Sequence, residues 1–186
     1  AGLEKRIVQD NEFAFDLLRK TIAEVSDTNV FMSPLSVSIA LGMTLNGAVG
    51  DTRTEMETAL KLTGLSVDEI NEYYKVMQTD LPGIDPLTKL SLANSIWYLQ
   101  GYEVKKAFLD TNKEYFNAEI RELDFSQTWA KDTINNWCAR KTNDLIKDIL
   151  DFIPKEAVMY LVNAVYFKGT WKVQFDPDET KEMYFT

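Results

Sequence analysis

Polar side chains embedded in apolar segments are the residues of this chain best suited to chemistry. Asn163 interrupts the apolar run 158–167, and Ser33 and Ser36 stand at the start of an apolar helix. A buried amide without partners costs about 1 to 3 kcal/mol, so Asn163 requires hydrogen-bond partners, and the two hydroxyls are candidates. Two interpretations are open at this point. Either the three residues form one buried network, or Ser33 only caps its helix and Asn163 is an incidental polar residue of a sheet.

Nucleophilic and metal chemistry is limited by which residues the chain contains. It has no histidine, which excludes a Ser-His-Asp or Cys-His nucleophile and an HExxH zinc site within these 186 residues. The single cysteine, Cys138, excludes an internal disulfide and a CxxC site. Ile134, Trp137, Cys138 and Leu145 fall near one face of a predicted helix. We therefore expect Cys138 to be a buried structural thiol.

Two further motifs have weak catalytic interpretations. Asp176, Asp178 and Glu179 cluster on a proline-containing loop, where neighbouring carboxylates are usually just solvated, and they lack the glycine pattern of a metal loop. The segment 47–52 resembles a phosphate loop but has no Lys-Ser/Thr ending. The sequence therefore predicts no enzyme activity, no cofactor and no metal site.

Composition bounds the class of protein. The chain has 45% hydrophobic and 26% charged residues, which is ordinary for one soluble globular domain. Its net charge of −9 disfavours nucleic acid or an anionic membrane surface as partner. No apolar run approaches the roughly 20 residues of a membrane-spanning helix. The start at Ala1, without an initiator Met, suggests a processed or engineered N-terminus.

Helical periodicity dominates the first eighty residues. Ser33 is placed as an N-cap with Pro34 at the first helical position, and Leu35, Ile39 and Met43 then form an apolar stripe. Four further local signals are predicted: a cap at Asp10 or Asn11 before the first helix, a short strand at 30–32, and capping boxes that begin helices at Thr52 with Glu55 and at Ser66 with Glu69.

Strand patterns follow in the second half. Residues 90–99 alternate in a way that predicts a strand with two covered faces, and 120–125 predict a short strand. A longer helix is expected from about Thr128 to Leu150. The run 158–167 predicts a central strand buried on both sides. Helices and strands in this order indicate an α+β fold without an internal domain boundary.

Three separated segments, 29–54, 92–97 and 162–171, resemble successive landmarks of the serpin family and occur in the correct order. A fourth, 134–146, is similar to the family's helix that lies across the front of its main sheet. The resemblance implies a serpin fold, with helices packed under and over a large central β-sheet that is incomplete in this chain. Residues 1–186 would then be the N-terminal portion of a single serpin domain.

The resemblance also implies a function. Most serpins are suicide inhibitors of serine proteases, trapping the acyl-enzyme by inserting a cleaved reactive-centre loop into the main sheet. The expected partners are a chymotrypsin-like or subtilisin-like protease and the C-terminal half of the same serpin, which would carry the loop. A non-inhibitory carrier, chaperone or storage role, and inhibition of cysteine proteases, remain alternatives. The protein is expected to be secreted or extracytoplasmic, with an intracellular location as the alternative.

By the same resemblance, Ser33, Ser36 and Asn163 match the shutter, a polar cluster beneath the centre of the sheet, and Trp171 matches the breach, where the loop first enters. Asn94 is a possible second polar anchor with no predicted partner. Some serpins bind heparin-like sugars through a basic helix, but the matching segment here, 66–79, is acidic. Heparin-type activation is therefore not expected.

Overall fold

A computed structural model describes residues 2–25 and 28–184, which adopt the expected α+β architecture. Helices and strands alternate along the second half, and two short 3-10 helices lie at Leu81–Gly83 and Pro177–Glu179. The longer elements are α1 (Gly2–Glu24), α2 (Pro34–Leu45), α3 (Gly50–Ala59), α4 (Val67–Asp80), β1 (Thr88–Leu99), α5 (Lys106–Phe116), β2 (Glu119–Leu123), α6 (Thr128–Lys141) and β3 (Met159–Gly169).

The three strands form one sheet in the order β2-β1-β3. β1 is parallel to β2 and antiparallel to β3. The β1–β3 ladder runs from Thr88 opposite Gly169 to Tyr98 opposite Met159, and it places Asn94 opposite Asn163. β3 therefore lies at an edge of the sheet that the described residues form.

Helices cover both faces of this sheet, and each face has its own core. On one face, Ile39 and Met43 of α2 and Ile70 and Tyr74 of α4 pack with Ile96 of β1. On the opposite face, α6 supplies Ile134, Trp137 and Cys138, which pack with Trp97 of β1 and Ala164 of β3. The alternation of strand side chains explains this division, since odd and even positions point to opposite faces.

The contact between α2 and α4 depends on one glycine. A Cβ atom at Gly42 would lie 2.5 Å from Cε2 of Tyr74, whose ring is only 1% exposed. The Tyr74 hydroxyl is held 2.9 Å from the hydroxyl of Ser38 on α2. Glycine therefore permits the close approach of the two helices at this point.

Two predicted helix starts are wrong. The first helix begins at Gly2 rather than after Asp10, which lies inside the helix, where its carboxylate pairs with Arg6 and accepts from the Tyr73 hydroxyl. α3 begins at Gly50, and its N-cap, Val49, supplies no side-chain hydrogen bond, so Thr52 does not start a capping box. The Ser66–Glu69 capping box of α4 is confirmed, with both reciprocal hydrogen bonds present.

The predicted α6 is too long. The helix ends at Lys141 rather than near Leu150, because Asn143 and Asp144 adopt positive φ angles of 50° and 61°, which α-helical geometry excludes. Cys138 is buried at 2% exposure, as expected, and burial raises the pKa of its thiol. Leu145, however, is 74% exposed and lies outside the helix.

Two strand predictions also change. Residues 30–32 form no strand, and Phe31 is fully exposed. β3 is not buried on both sides, since Ala164 is its one buried residue and the outer edge of the strand has no neighbour among the described residues. An apolar run predicts the burial of a strand only when all the strands that cover it are present. The predicted short strand is confirmed with a shifted range, as β2.

Candidate functional site

The N-terminus of α2 supplies two of the predicted site residues. Ser33 is the N-cap, Pro34 occupies the first turn, and the Ser33 hydroxyl accepts a hydrogen bond from the backbone N–H of Ser36 at 3.3 Å. This cap confirms the predicted start of the helix. It also fixes the backbone of Ser36, one turn into a helix that lies against β3.

Ser36 and Asn163 meet across 127 positions of sequence. The Ser36 hydroxyl donates to Oδ1 of Asn163. Asn163 Nδ2 in turn donates to Oδ1 of Asn94 at 2.8 Å, directly across the β1–β3 ladder. These bonds provide partners for an amide that the apolar run would otherwise leave unsatisfied. Ser33 does not bond Asn163 itself and joins the cluster through the Ser36 backbone.

Asn94 extends the cluster to two further helices, α4 and α5. It is 3% exposed, and its Nδ2 donates to the backbone carbonyl of Phe116 at 2.7 Å and to Oε1 of Gln78 on α4. Gln78 Nε2 donates to the carbonyls of Tyr74 at 2.9 Å and Tyr115 at 3.3 Å. One chain of hydrogen bonds thus runs from α2 through β3 and β1 to α4 and α5. We refer to Ser33, Ser36, Asn163, Asn94 and Gln78 as the polar cluster.

The polar cluster is electrostatically neutral. Its members are hydroxyls and amides, which neither titrate near neutral pH nor act as strong nucleophiles. No buried side-chain nitrogen or oxygen atom in the described part of the chain is left without a hydrogen-bond partner. The arrangement can hold two strands and a helix in one register, and it can be broken and remade without covalent chemistry.

An apolar groove lies beside the polar cluster. It has a volume of about 740 Å³ and is bounded by the segment before α2, the turn after α6 and the outer edge of β3. Met32, Leu145, Ile146, Val165 and Phe167 line it together with Asn163. The groove therefore leaves the free edge of β3 accessible next to Asn163.

Trp171, the predicted breach residue, lies outside the polar cluster. It follows the end of β3 by two residues and is 71% exposed. Its ring packs edge-on against Phe175 with centroids 5.9 Å apart. The structure therefore groups Ser33, Ser36 and Asn163 but places Trp171 separately.

Gln78 is the member of the cluster that sequence reasoning missed. It lies near the end of α4, just before Thr79 and Asp80, where an amide is ordinary for a helix surface. Gln78 joins the polar cluster only because Asn94, which lies 16 positions later in the sequence, donates a hydrogen bond to it from β1. No local signal marks such a contact.

The acidic residues considered for catalysis or metal binding, Asp176, Asp178 and Glu179, lie in an exposed turn. Asp176 accepts from the backbone N–H of Asp178 at 3.0 Å in a short turn, with Asp178 and Glu179 exposed. Among the described residues, no three His, Cys, Asp or Glu side chains are grouped so as to hold a metal ion. Nor is any described helix both long and apolar enough to cross a membrane.

The sequence of this chain matches a family model and several curated proteins. Residues 8–186 match the family model described as "Serpin (serine protease inhibitor)". Human neuroserpin is 34% identical over 178 residues, which are 94% of this chain and 43% of that protein. Rabbit corticosteroid-binding globulin is 33% identical, over 94% of this chain and 46% of its own length. The chain thus spans less than half the length of the curated relatives it matches.

Solved structures agree with this result. The thermophilic serpin tengpin in its native state superposes with a TM-score of 0.84 at 36% identity, covering 94% of this chain and 44% of tengpin. Tengpin in its latent state gives the same TM-score over 93% of this chain and 46% of tengpin. The three-stranded sheet with helices on both faces is therefore part of the serpin fold, and the chain belongs to the serpin family.

Proposed function

We propose that residues 1–186 form the N-terminal portion of a single serpin domain. We refer to the longer polypeptide that would carry them as the complete protein, and we propose that it is a suicide inhibitor of serine proteases. A protease of the chymotrypsin-like or subtilisin-like type cleaves an exposed reactive-centre loop. The loop then inserts into the main sheet as an added strand while the protease is still held as an acyl-enzyme. The protein itself is not an enzyme in this mechanism.

The observation that carries the proposal is the outer edge of β3, which no described strand covers. Strand addition needs an edge with free backbone N–H and C=O groups and a sheet that can open beside it. The apolar groove along this edge gives space for covering strands from the C-terminal half of the domain. An edge this apolar would otherwise promote aggregation, which supports a covering partner.

We further propose that Ser33, Ser36 and Asn163 act as the shutter that controls opening of the sheet. The support is the hydrogen bond from Ser36 to Asn163, which ties α2 to β3. Any sliding of β3 over α2 must break this bond. Conditions that replace this hydrogen bond then favour opening of the sheet, and conditions that preserve it oppose opening.

Trp171 is proposed to lie at the breach, where the loop first enters the sheet. In support of this, it follows the end of β3 and is largely exposed in the described residues. A strand that entered beside β3 would pass this ring and change its solvent contact. Trp171 is therefore a natural fluorescence reporter for loop insertion.

A non-inhibitory serpin is the second candidate function. The observation that favours it is the similarity to corticosteroid-binding globulin, a relative whose name describes the binding of corticosteroids rather than inhibition. A chaperone or storage role, or inhibition of cysteine proteases, is compatible with the same N-terminal residues. These functions differ in the reactive-centre loop and its hinge, which belong to the proposed C-terminal half.

The remaining partners follow from charge and family. A net charge of −9 disfavours nucleic acid and membranes. Heparin binding along α4 is disfavoured because Asp68, Glu69 and Glu72 outnumber Lys75 there. We propose a secreted or extracytoplasmic location, since the expected target proteases act there, with an intracellular location as the alternative. Fractionation of the source cells and their medium tests this point.

The deciding experiment is to incubate the complete protein with a panel of chymotrypsin-like, subtilisin-like and cysteine proteases and to resolve the products on denaturing gels. A covalent high-mass band with a serine protease supports the inhibitory mechanism. Such a band only with cysteine proteases would redirect the target class. Clean cleavage without any covalent band, across the panel, would overturn inhibition and favour the carrier function.

A further inference from the structure

A second cavity lies beside Asn94 and Gln78 of the polar cluster, away from the apolar groove at β3. It opens to solvent and is bounded by the ends of α4, α5 and α6, the middle of β1 and the start of β2, and its volume is about 560 Å³. Small-molecule sites commonly have volumes of about 300 to 1,000 Å³. The size of the cavity therefore suits a small organic molecule.

The floor of this cavity is built from amides. Asn94 and Gln78 line it, together with Phe116, whose backbone carbonyl accepts from Asn94. Asn94 is 3% exposed, so its orientation is fixed by its neighbours. The amide NH2 groups of Asn94 and Gln78 already donate both of their hydrogens, so this floor offers hydrogen-bond acceptors in fixed positions, which favours a ligand with hydroxyl groups over a purely apolar one.

The rim of the cavity concentrates positive charge in a chain that is strongly acidic overall. Lys75 comes from α4, Lys113 from α5 and Lys141 from the end of α6, so three helices each contribute one ammonium group. Lys113 and Lys141 form no ion pair with any described carboxylate, and the Lys75 ion pair to Glu72 is long, at 4.0 Å. Lys75 also lies 5.3 Å from the centre of the Tyr115 ring, and Lys141 lies 5.9 Å from that of Trp137. Lys113 and Lys141, which no described carboxylate pairs, are therefore the two ammonium groups available to an anion.

Two carboxylates also line the cavity. Glu119 is already compensated, because its Oε1 lies 2.6 Å from the Arg121 guanidinium and its Oε2 accepts from Trp137 Nε1 at 2.9 Å. Glu114 is exposed on the rim and partly offsets the lysines. Glu72 offsets Lys75, and the carboxylates of Glu114, Asp68 and Glu72 raise the pKa of Tyr115 on the α4 side of the cavity. The positive charge is therefore confined to the side where Lys113 and Lys141 lie.

We propose that this cavity binds a small polar organic anion, with its phosphate or carboxylate at Lys113 and Lys141 and its hydroxyl groups at the amide floor of Gln78 and Asn94. Ligand contacts to Gln78 or Asn94 join the same hydrogen-bond chain that holds Asn163 and Ser36. Binding at the cavity is therefore coupled to the β1–β3 pair. Binding itself does not depend on the proposed inhibitory function, whereas any effect on loop insertion does.

Calorimetric titration of the complete protein with glucose 6-phosphate tests the site, with glucose as the neutral probe and inorganic phosphate as the bare anion. Saturable binding of glucose 6-phosphate that exceeds both is expected. Phosphate binding of equal strength would mean an adventitious ion only and would overturn the proposal. Absence of saturable glucose 6-phosphate binding would overturn it as well. No protease is present, so failure here is distinguishable from failure of the inhibitory function.

Variants then locate the site. Lys113→Gln with Lys141→Gln should weaken glucose 6-phosphate binding by about tenfold or more, since two charge-assisted contacts are lost. The matched control, Lys105→Gln with Lys155→Gln, removes two exposed charges outside the cavity and should leave affinity unchanged. Equal affinity in the two double variants would place the ligand elsewhere. Thr79→Trp, at an exposed lining position, should block binding by filling the cavity.

Coupling to the sheet has its own measurement. Because linkage is reciprocal, Asn163→Ala should change the dissociation constant for glucose 6-phosphate by about threefold or more, although Asn163 does not line this cavity. Asn136→Ala, an exposed amide on α6, serves as the control. An unchanged constant in Asn163→Ala would overturn the coupling.

Discussion

Asn94 and Asn163 face each other directly across the antiparallel β1–β3 pair, and Asn163 Nδ2 donates to Asn94 Oδ1 at 2.8 Å. Their side chains lie on the α2 face of the sheet, where Ser36 completes the bonding of Asn163. A cross-strand amide pair within an otherwise apolar ladder fixes the register of two strands, because a one-residue slip would bury both amides without partners.

Replacing Asn163 should therefore destabilise the fold. Asn163→Ala leaves Asn94 Oδ1 without its donor and Ser36 without its acceptor, which should lower the free energy of unfolding by about 1 to 3 kcal/mol. Urea denaturation of the complete protein, followed by far-UV circular dichroism, measures this loss. If the proposed shutter is correct, the variant also polymerises faster on mild heating. Asn136→Ala, at an exposed position, should leave both quantities unchanged.

A double-mutant cycle isolates the amide pair. Asn94→Ala alone also removes the bonds to Phe116 and Gln78, so it should cost more than Asn163→Ala. The double variant should be less destabilised than the sum of the two, with a coupling of about 0.5 to 3 kcal/mol. Denaturant midpoints of the four proteins give the cycle. Strict additivity would show that the two amides do not act together.

The close contact of α2 and α4 predicts an unusual response to alanine. Gly42→Ala would normally stabilise a helix by up to about 1 kcal/mol, but its Cβ would lie 2.5 Å from the buried Tyr74 ring. We expect a net loss of about 1 to 3 kcal/mol from overpacking, measured by thermal unfolding.

Two comparisons control for the glycine effect itself. Gly83→Ala has nothing within 4 Å of the added Cβ and should be nearly neutral. Tyr74→Leu should make the Gly42→Ala change less costly, since it removes the clashing ring atoms. If Gly42→Ala stabilises the protein, the two helices can separate at this point without cost, and the close approach is not required.

Tyr74 also predicts a dependence on alkaline pH. Burial raises the pKa of Tyr74 to about 12, above its ordinary value of 10. The unfolded state then loses this proton first, so the contribution of Tyr74 is fully present below pH 10 and falls as pH rises toward 12. At pH 11 the loss should be about 1 kcal/mol.

Comparing the native protein with Tyr74→Phe isolates this effect from those of other tyrosines. Unfolding free energies at pH 8 and pH 11 should converge between the two proteins as pH rises, because phenylalanine does not titrate. A constant difference across this range would mean that Tyr74 titrates normally in the folded state.

Local signals predict the elements that hold the site. Ser33 followed by Pro34 is a helix start that depends only on neighbouring residues, and the structure confirms it. Asn163 stands out because an amide within an apolar run must have partners, and Ser36 is one of them. Both predictions rest on rules that operate within a few residues or on the cost of burial.

The errors arise where distant parts of the molecule decide. The partner of Asn94 is Gln78, an ordinary residue of a helix surface until the sheet approaches it. Burial of β3 is overestimated because its apolar run predicts neighbours that the described residues do not contain. The end of α6 is missed because Asn143 and Asp144 adopt left-handed conformations, which asparagine and aspartate tolerate but do not require.

The separation of Ser36 and Asn163 along the chain has a consequence for biosynthesis. The two residues are 127 positions apart, so α2 is complete long before its hydrogen-bond partner has been translated. At about 5 to 20 residues per second, the interval is on the order of 10 seconds. During that time the bond from Ser36 to Asn163 cannot form, whereas contacts among earlier segments, such as Ser38 with Tyr74 and Asn46 with Asn112, already can. The tie between α2 and β3 is therefore among the later contacts that a nascent chain can make.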